Sequence, residues 1–154
     1  MAKFNLELPT EELNEFKRIY DNADEIFAEM TKAGAEVVLD NVKASAPKNL
    51  GNYAKLTRSY RTPTNGGINT KVIISGYIPF KGNRTSFSRR GRKGSDVYTT
   101  TQGIPADFLA NVFEYGRRGA PFPKRPFFRK AFKKAQITAK MLEAQKKASG
   151  GLLE

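Results

Sequence analysis

Apolar residues recur every three or four positions through the first third of the chain: Leu13, Phe16, Tyr20, Ala23, Phe27 and Met30, then Ala33, Val37, Val38, Val42 and Ala46. That spacing is the period of one helix face. Pro9-Thr10-Glu11-Glu12 supplies a start, with Thr10 as N-cap and two glutamates where the positive helix end favours them. Asp21-Asn22 interrupts the pattern, predicting a short helix followed by a longer one, and Pro47 ends it. The small run Ala33-Gly34-Ala35 permits close approach of a sheet or a second helix. Lys3–Leu8 is a short alternating prelude.

After Pro47 the period changes. Lys48–Asn52 reads as a loop, and Tyr53–Tyr60 as a short helical or extended piece. Asn65-Gly66-Gly67 is a turn. Lys71–Tyr77 (KVIISGY), rich in β-branched residues, is the best strand. Lys81–Gly94 is polar and without period, and reads as an extended loop that is mobile before it meets a partner. Val97–Thr101 is a second strand and Val112–Tyr115 a third, with a helical turn at Ala106–Asn111 between them. Pro126–Lys147 is expected as the C-terminal helix, with Phe128, Ala131, Phe132, Ala135, Ala139 and Leu142 on its apolar face and Gly150-Gly151 ending it. The expected fold is α+β: a long N-terminal helix and a C-terminal helix packed on a small, mostly antiparallel sheet. Residues 1–154 form one domain, with a long mobile loop at 81–103 and a flexible tail at 148–154.

The chain is organised around Val112–Phe132, VFEYGRRGAPFPKRPFFRKAF. It reads as an apolar strand, a reversal on Gly116 and Gly119, a segment pinned by Pro121, Pro123 and Pro126, and a helix entry carrying Phe127, Phe128 and Phe132. Pro126 is placed as a first helical residue.

Charge adds a polarity to this picture. The net charge is +12, yet residues 1–40 hold ten acids against four bases, a net of −6 that leaves +18 for residues 41–154. Such a chain suits nucleic acid, or head-to-tail stacking on copies of itself or on an acidic partner. Cys and His are both absent. The thiol nucleophile, the commonest general base and the soft metal ligands are therefore missing, and neither an enzyme nor a cofactor is expected. No apolar run has membrane-spanning length and no leader precedes the first helix, so a cytoplasmic product with no membrane partner is expected.

Two clusters are candidates for chemistry. Lys81, Arg84, Arg89, Arg90, Arg92 and Lys93 concentrate six bases in one loop around Phe87. They suit phosphate contact, docking on an acidic protein surface, or plain solvation. Phe87 favours an ordered contact, because a lone exposed Phe gains little in water. Tyr77, Phe80, Phe87 and Tyr98 do not fall in the spacing of any nucleic-acid module. Glu114, beside Arg117 and Arg118, fits either the acid of a small basic ribonuclease or a strand-end carboxylate that pairs with an arginine or caps a backbone donor.

The order of these features resembles a known family. A long helix ends in Val42-Lys43-Ala44-Ser45-Ala46-Pro47, and Gly51 opens Asn52–Tyr60. Strands follow, then Phe113-Glu114-Tyr115-Gly116, then the R-P-F-F-R-x-A-F motif Arg125–Phe132 opening the last helix. This is similar to the tail-completion or minor tail proteins of long-tailed bacteriophages, also described as head–tail joining or neck components. The similarity covers residues 25–145 in order of elements and is specific mainly at Ala46-Pro47, Gly51, Glu114–Gly116 and Arg125–Phe128. It departs from the family at Lys48-Asn49-Leu50 and in the long basic segment Lys81–Gly103. The resemblance implies a virion protein that completes the tail and enables head attachment by ring assembly. Its implied partners are copies of itself, the tail tube protein, head-completion (connector) proteins and DNA passing through the lumen. It implies no catalysis. The location implied is the virion neck, with the host cytoplasm during assembly. In a ring, the basic loop of one subunit reaches the acidic helix of the next or points at DNA.

Overall fold

A computed structural model describes residues 10–47, 49–64, 66–90, 97–117 and 122–150. Helix α1 (Thr10–Asp21) and helix α2 (Ala23–Ser45) meet at Asn22, the expected break. Thr10 is itself helical rather than a cap. Among the described residues eight short strands follow: β1 (Ala54–Leu56), β2 (Tyr60–Arg61), β3 (Ile68–Asn69), β4 (Val72–Ile74), β5 (Tyr77–Ile78), β6 (Phe87–Arg90), β7 (Val97–Thr100) and β8 (Ile104–Pro105). Helix α3 (Ala106–Tyr115) and helix α4 (Lys134–Ala148) complete the α+β architecture.

All four ladders are antiparallel, and they form two nested hairpins. In the first, β1 pairs with β4 and encloses β2 paired with β3, and Thr57 N–H donating to Lys71 O at 2.9 Å links the two ladders. Its tip is the predicted glycine turn, with Gly66 at φ 66° and the Thr62 and Gly67 backbones bonded across it. In the second, β5 pairs with β8 and encloses β6 paired with β7. Expected as one strand, Lys71–Tyr77 is broken at Ser75-Gly76. Gly76 sits at φ 118°, against the Tyr53 ring, and there the chain passes from the first hairpin to the second.

The core is where α2, α3 and the first hairpin converge: Val38, Val42, Leu50, Ala54, Ala106, Phe113, Phe127 and Ala131. Val42 is fully buried. Pro47 ends α2 as expected, and Asn49 in the left-handed region turns the chain back. Leu50 and Gly51 are buried, and a Cβ on Gly51 would lie 2.9 Å from the Lys43 carbonyl oxygen. Only glycine lets the returning chain lie that close to α2. Gly34 likewise admits α4, with Met141 Cγ 2.9 Å from where its Cβ would be. The acidic and basic ends of the sequence therefore meet inside one chain, α2 along α4.

Three expectations are corrected. Val112–Tyr115 is the last turn of α3 and not a strand, because Ala106–Tyr115 runs on as one helix after β8. The stretch 81–103 is not one extended loop: Phe87–Arg90 and Val97–Thr100 pair in register, Phe87 opposite Thr100 and Arg90 opposite Val97. Pro126 does not open the last helix. Residues Arg129–Ala131 form a 3-10 turn, and α4 begins only at Lys134. That delay rotates α4 relative to the predicted face. Its packed side carries Ile137, Met141 and Ala144, while Ala135, Ala139 and Leu142 are exposed.

Candidate functional site

The segment from Phe113 to Phe132 is built on one buried carboxylate. Helix α3 ends at Gly116, whose φ of 79° turns the chain out and whose missing Cβ leaves room for the Phe122 carbonyl. The chain comes back alongside, with a bridge between Arg117 and Phe122 and with Arg125 N–H donating to Phe113 O at 2.8 Å. This brings the Pro126-Phe127-Phe128-Arg129 backbone over Glu114. Pro126 has no N–H to donate, and the next three residues donate theirs to the carboxylate. Phe127 and Phe128 reach Oε2 at 2.9 and 3.0 Å, and Arg129 reaches Oε1 at 3.3 Å. The Arg129 Nε donates to the same Oε1 at 3.0 Å, and its guanidinium lies 5.2 Å from the centre of the exposed Tyr115 ring.

Glu114 thus caps the donors of the 3-10 turn and holds an ion pair at once. Burial pushes its pKa up. The hydrogen bonds from the Arg129 side chain and the amides of Phe128, Arg129 and Phe127 outweigh that and hold it below the ordinary carboxylate value. With both their amides on Glu114, Phe127 drops into the core and Phe128 packs edge-on beside it, their ring centres 6.2 Å apart. A cleft of about 230 Å³ next to this clamp is lined by Ile74, Asp107, Ala110, Asn111 and the clamp residues. Four donors occupy the carboxylate, which clamps the end of α3 to the returning chain. Arg118 lies outside the described residues.

The basic cluster is divided by the second hairpin. Lys81 and Arg84 are exposed before β6, and Arg84 lies over the Phe87 ring at 5.4 Å. Phe87 is buried, edge-on to Phe108 of α3 with centres 5.0 Å apart, and so pins the hairpin to the domain. Arg89 points back to α3 and meets Asp107 at 3.3 Å. Arg90 is exposed, and Arg92 and Lys93 lie outside the described residues. An open cleft of about 790 Å³ between hairpin and α3 is lined by Ser88, Arg89, Arg90, Tyr98, Asp107, Phe108 and Asn111.

Sequence reasoning missed Asp107 as the partner of Arg89; the only signal was an acid in the first turn of a helix read as a single turn. It placed Leu13, Phe16 and Tyr20 on one helix face without saying whether that face is covered. They are 51%, 67% and 82% exposed.

No family model, curated protein or solved structure matches this chain. The molecule combines a core clamped by Glu114, a pinned basic hairpin, and an amphipathic helix with its apolar side turned outward.

Proposed function

We propose that this chain is a structural subunit of a phage virion at the head–tail junction, acting by self-association into a ring and by shape. One observation carries the assembly reading: the large apolar residues of α1 stand exposed in a row on an acidic helix. A helix with such a stripe gains little in water and gains stability when a second protein covers it. Placement at the junction draws on the resemblance of the motif order to tail-completion proteins, from Ala46-Pro47 and Gly51 through Glu114–Gly116 to Arg125–Phe128. Glu114 as a capped clamp supports a structural meaning for these last two motifs, because it joins them through four hydrogen bonds. The partners are further copies, the tail tube protein and the head-completion proteins, in the virion neck after assembly in the host cytoplasm.

Electron microscopy of particles from the source phage with this gene deleted tests the reading. DNA-filled heads lying apart from finished or overlong tails are expected. Normal, infectious virions overturn it. A second reading, binding of nucleic acid, draws on the exposed Arg84 and Arg90 of the hairpin region and on Tyr98 beside the open cleft. It requires that the protein alone bind DNA with an affinity falling steeply as salt rises.

A further inference from the structure

We infer that α1 of one copy docks on the exposed side of α4 of the next copy, so that α4 lies between two acidic helices. The inference rests on the assembly reading above and names its interface. Helix α1 holds four acids (Glu11, Glu12, Glu15, Asp21) against two bases (Lys17, Arg18). Helix α4 holds four lysines (Lys134, Lys140, Lys146, Lys147) against one acid, Glu143. Each helix carries an apolar stripe left open in its own chain. On α1 the stripe is Leu13, Phe16 and Tyr20, at the i, i+3, i+7 spacing. On α4 it is Ala135, Ala139 and Leu142, at i, i+4, i+7, with Lys146 continuing the row.

Helical geometry places the α4 stripe across the helix from Ile137, Met141 and Ala144, the side that faces α2. Leu142 is 51% exposed, and Phe132, just before the helix, is 57% exposed. The two faces match in kind: large residues on α1, small ones with a single leucine on α4. They match in length as well, about 18 Å for α1 and about 22 Å for α4 at the helical rise. Ridges of Phe16 and Tyr20 fit over the alanines as large side chains fit grooves in close helix pairs.

The occupant is a second copy for two reasons. Inside the chain, acidic α2 (Asp24, Glu25, Glu29, Glu36, Asp40) already lies along the other side of α4, where Glu25 and Glu29 line one cleft with Lys147. The symmetric alternatives set like charge on like, acid against acid for α1 on α1 and lysine against lysine for α4 on α4. An α1-to-α4 contact is heterologous, and a repeated heterologous contact closes into a ring or runs on as a filament.

Sedimentation tests it with two variants and their mixture. Leu13→Ser with Phe16→Ser and Tyr20→Ser removes the α1 stripe, and Ala139→Glu with Leu142→Glu spoils the α4 stripe. All five positions are exposed, and circular dichroism should show both variants folded. The wild type should self-associate, and each variant alone should associate at least about a hundredfold more weakly. The equimolar mixture should form dimers and nothing larger, because only one good contact is left between them. Raising salt should weaken the wild-type association. The chain has no cysteine, so Lys17→Cys and Thr138→Cys chains provide an independent check. On oxidation they should yield a disulfide dimer containing one of each, and neither should dimerise alone. Variants that still assemble like the wild type overturn this interface and leave the assembly reading standing. Dimers from either cysteine chain alone, or a wild type that stays monomeric, also overturn it, and the gene-deletion particles then decide the assembly reading separately.

Discussion

Helices α1 and α2 carry the same repeat of apolar residues, one after the other, and meet different fates. Most of α2 is covered: Ile26, Val38 and Val42 are buried and Gly34 lies against α4, while Phe27, near the start of the helix, stays 53% exposed. The α1 stripe is exposed along its length, although its residues are larger. Periodicity states which side of a helix wants cover. It does not state whether the cover comes from the same chain. Where α2 is flanked by Gly51, which lets the chain fold back on it, and by α4, the chain covers itself. At α1, Arg18 and Ile19 line a cleft shared with the end of α4, and the stripe beside them is left open.

The largest effect should separate the two helices most clearly. Val42→Asp puts a charge in a fully buried site and should cost more than about 4 kcal/mol, unfolding the domain in a denaturant titration.

Next comes the clamp that holds the far side of the same core. Glu114→Ala leaves the amides of Phe127, Phe128 and Arg129 without their acceptor and should cost about 3 kcal/mol, read from the denaturant midpoint. The sign of its pH dependence follows from the depressed pKa. Because the folded-state value lies below the ordinary 4.5, the unfolded chain takes up the proton more readily. The contribution is complete above about pH 5 and is lost as pH falls through 4.5 toward the lower folded value. Glu114→Gln should flatten that acid limb when stability is measured from pH 7 to pH 3.

The smallest effect on stability belongs to α1. Phe16→Ser with Tyr20→Ser should shift folding stability by no more than about 0.5 kcal/mol while reducing self-association, measured by melting and by sedimentation. A loss as large as that at Val42 would mean that α1 is covered by its own chain, and the contrast would fail.

Legibility followed how local each cause was. The break at Asp21-Asn22, the stop at Pro47 and the turn at Gly66 are set by neighbouring residues and were readable. The Glu114 reading was half legible. An arginine partner or a capped backbone donor could be named from residue type, and Glu114 has both, but at a helix end. Its donors come from residues 13 to 15 positions away, and no local pattern signals that return. The same holds for the hairpin. The run Phe87–Arg90 has no strand pattern of its own, and pairing with Val97–Thr100 and the Phe87–Phe108 contact make it one.

By itself the sequence determined the α+β class, the two N-terminal helices, the turns and the uneven distribution of charge, because each arises from spacing, proline, glycine and composition along a short stretch. Only the tertiary structure decided where α4 begins, that α2 and α4 bring acid and base together within one chain, and that the stripe of α1 stays uncovered. Burial is a property of what packs on a surface, and a repeat of apolar residues specifies the surface without its partner.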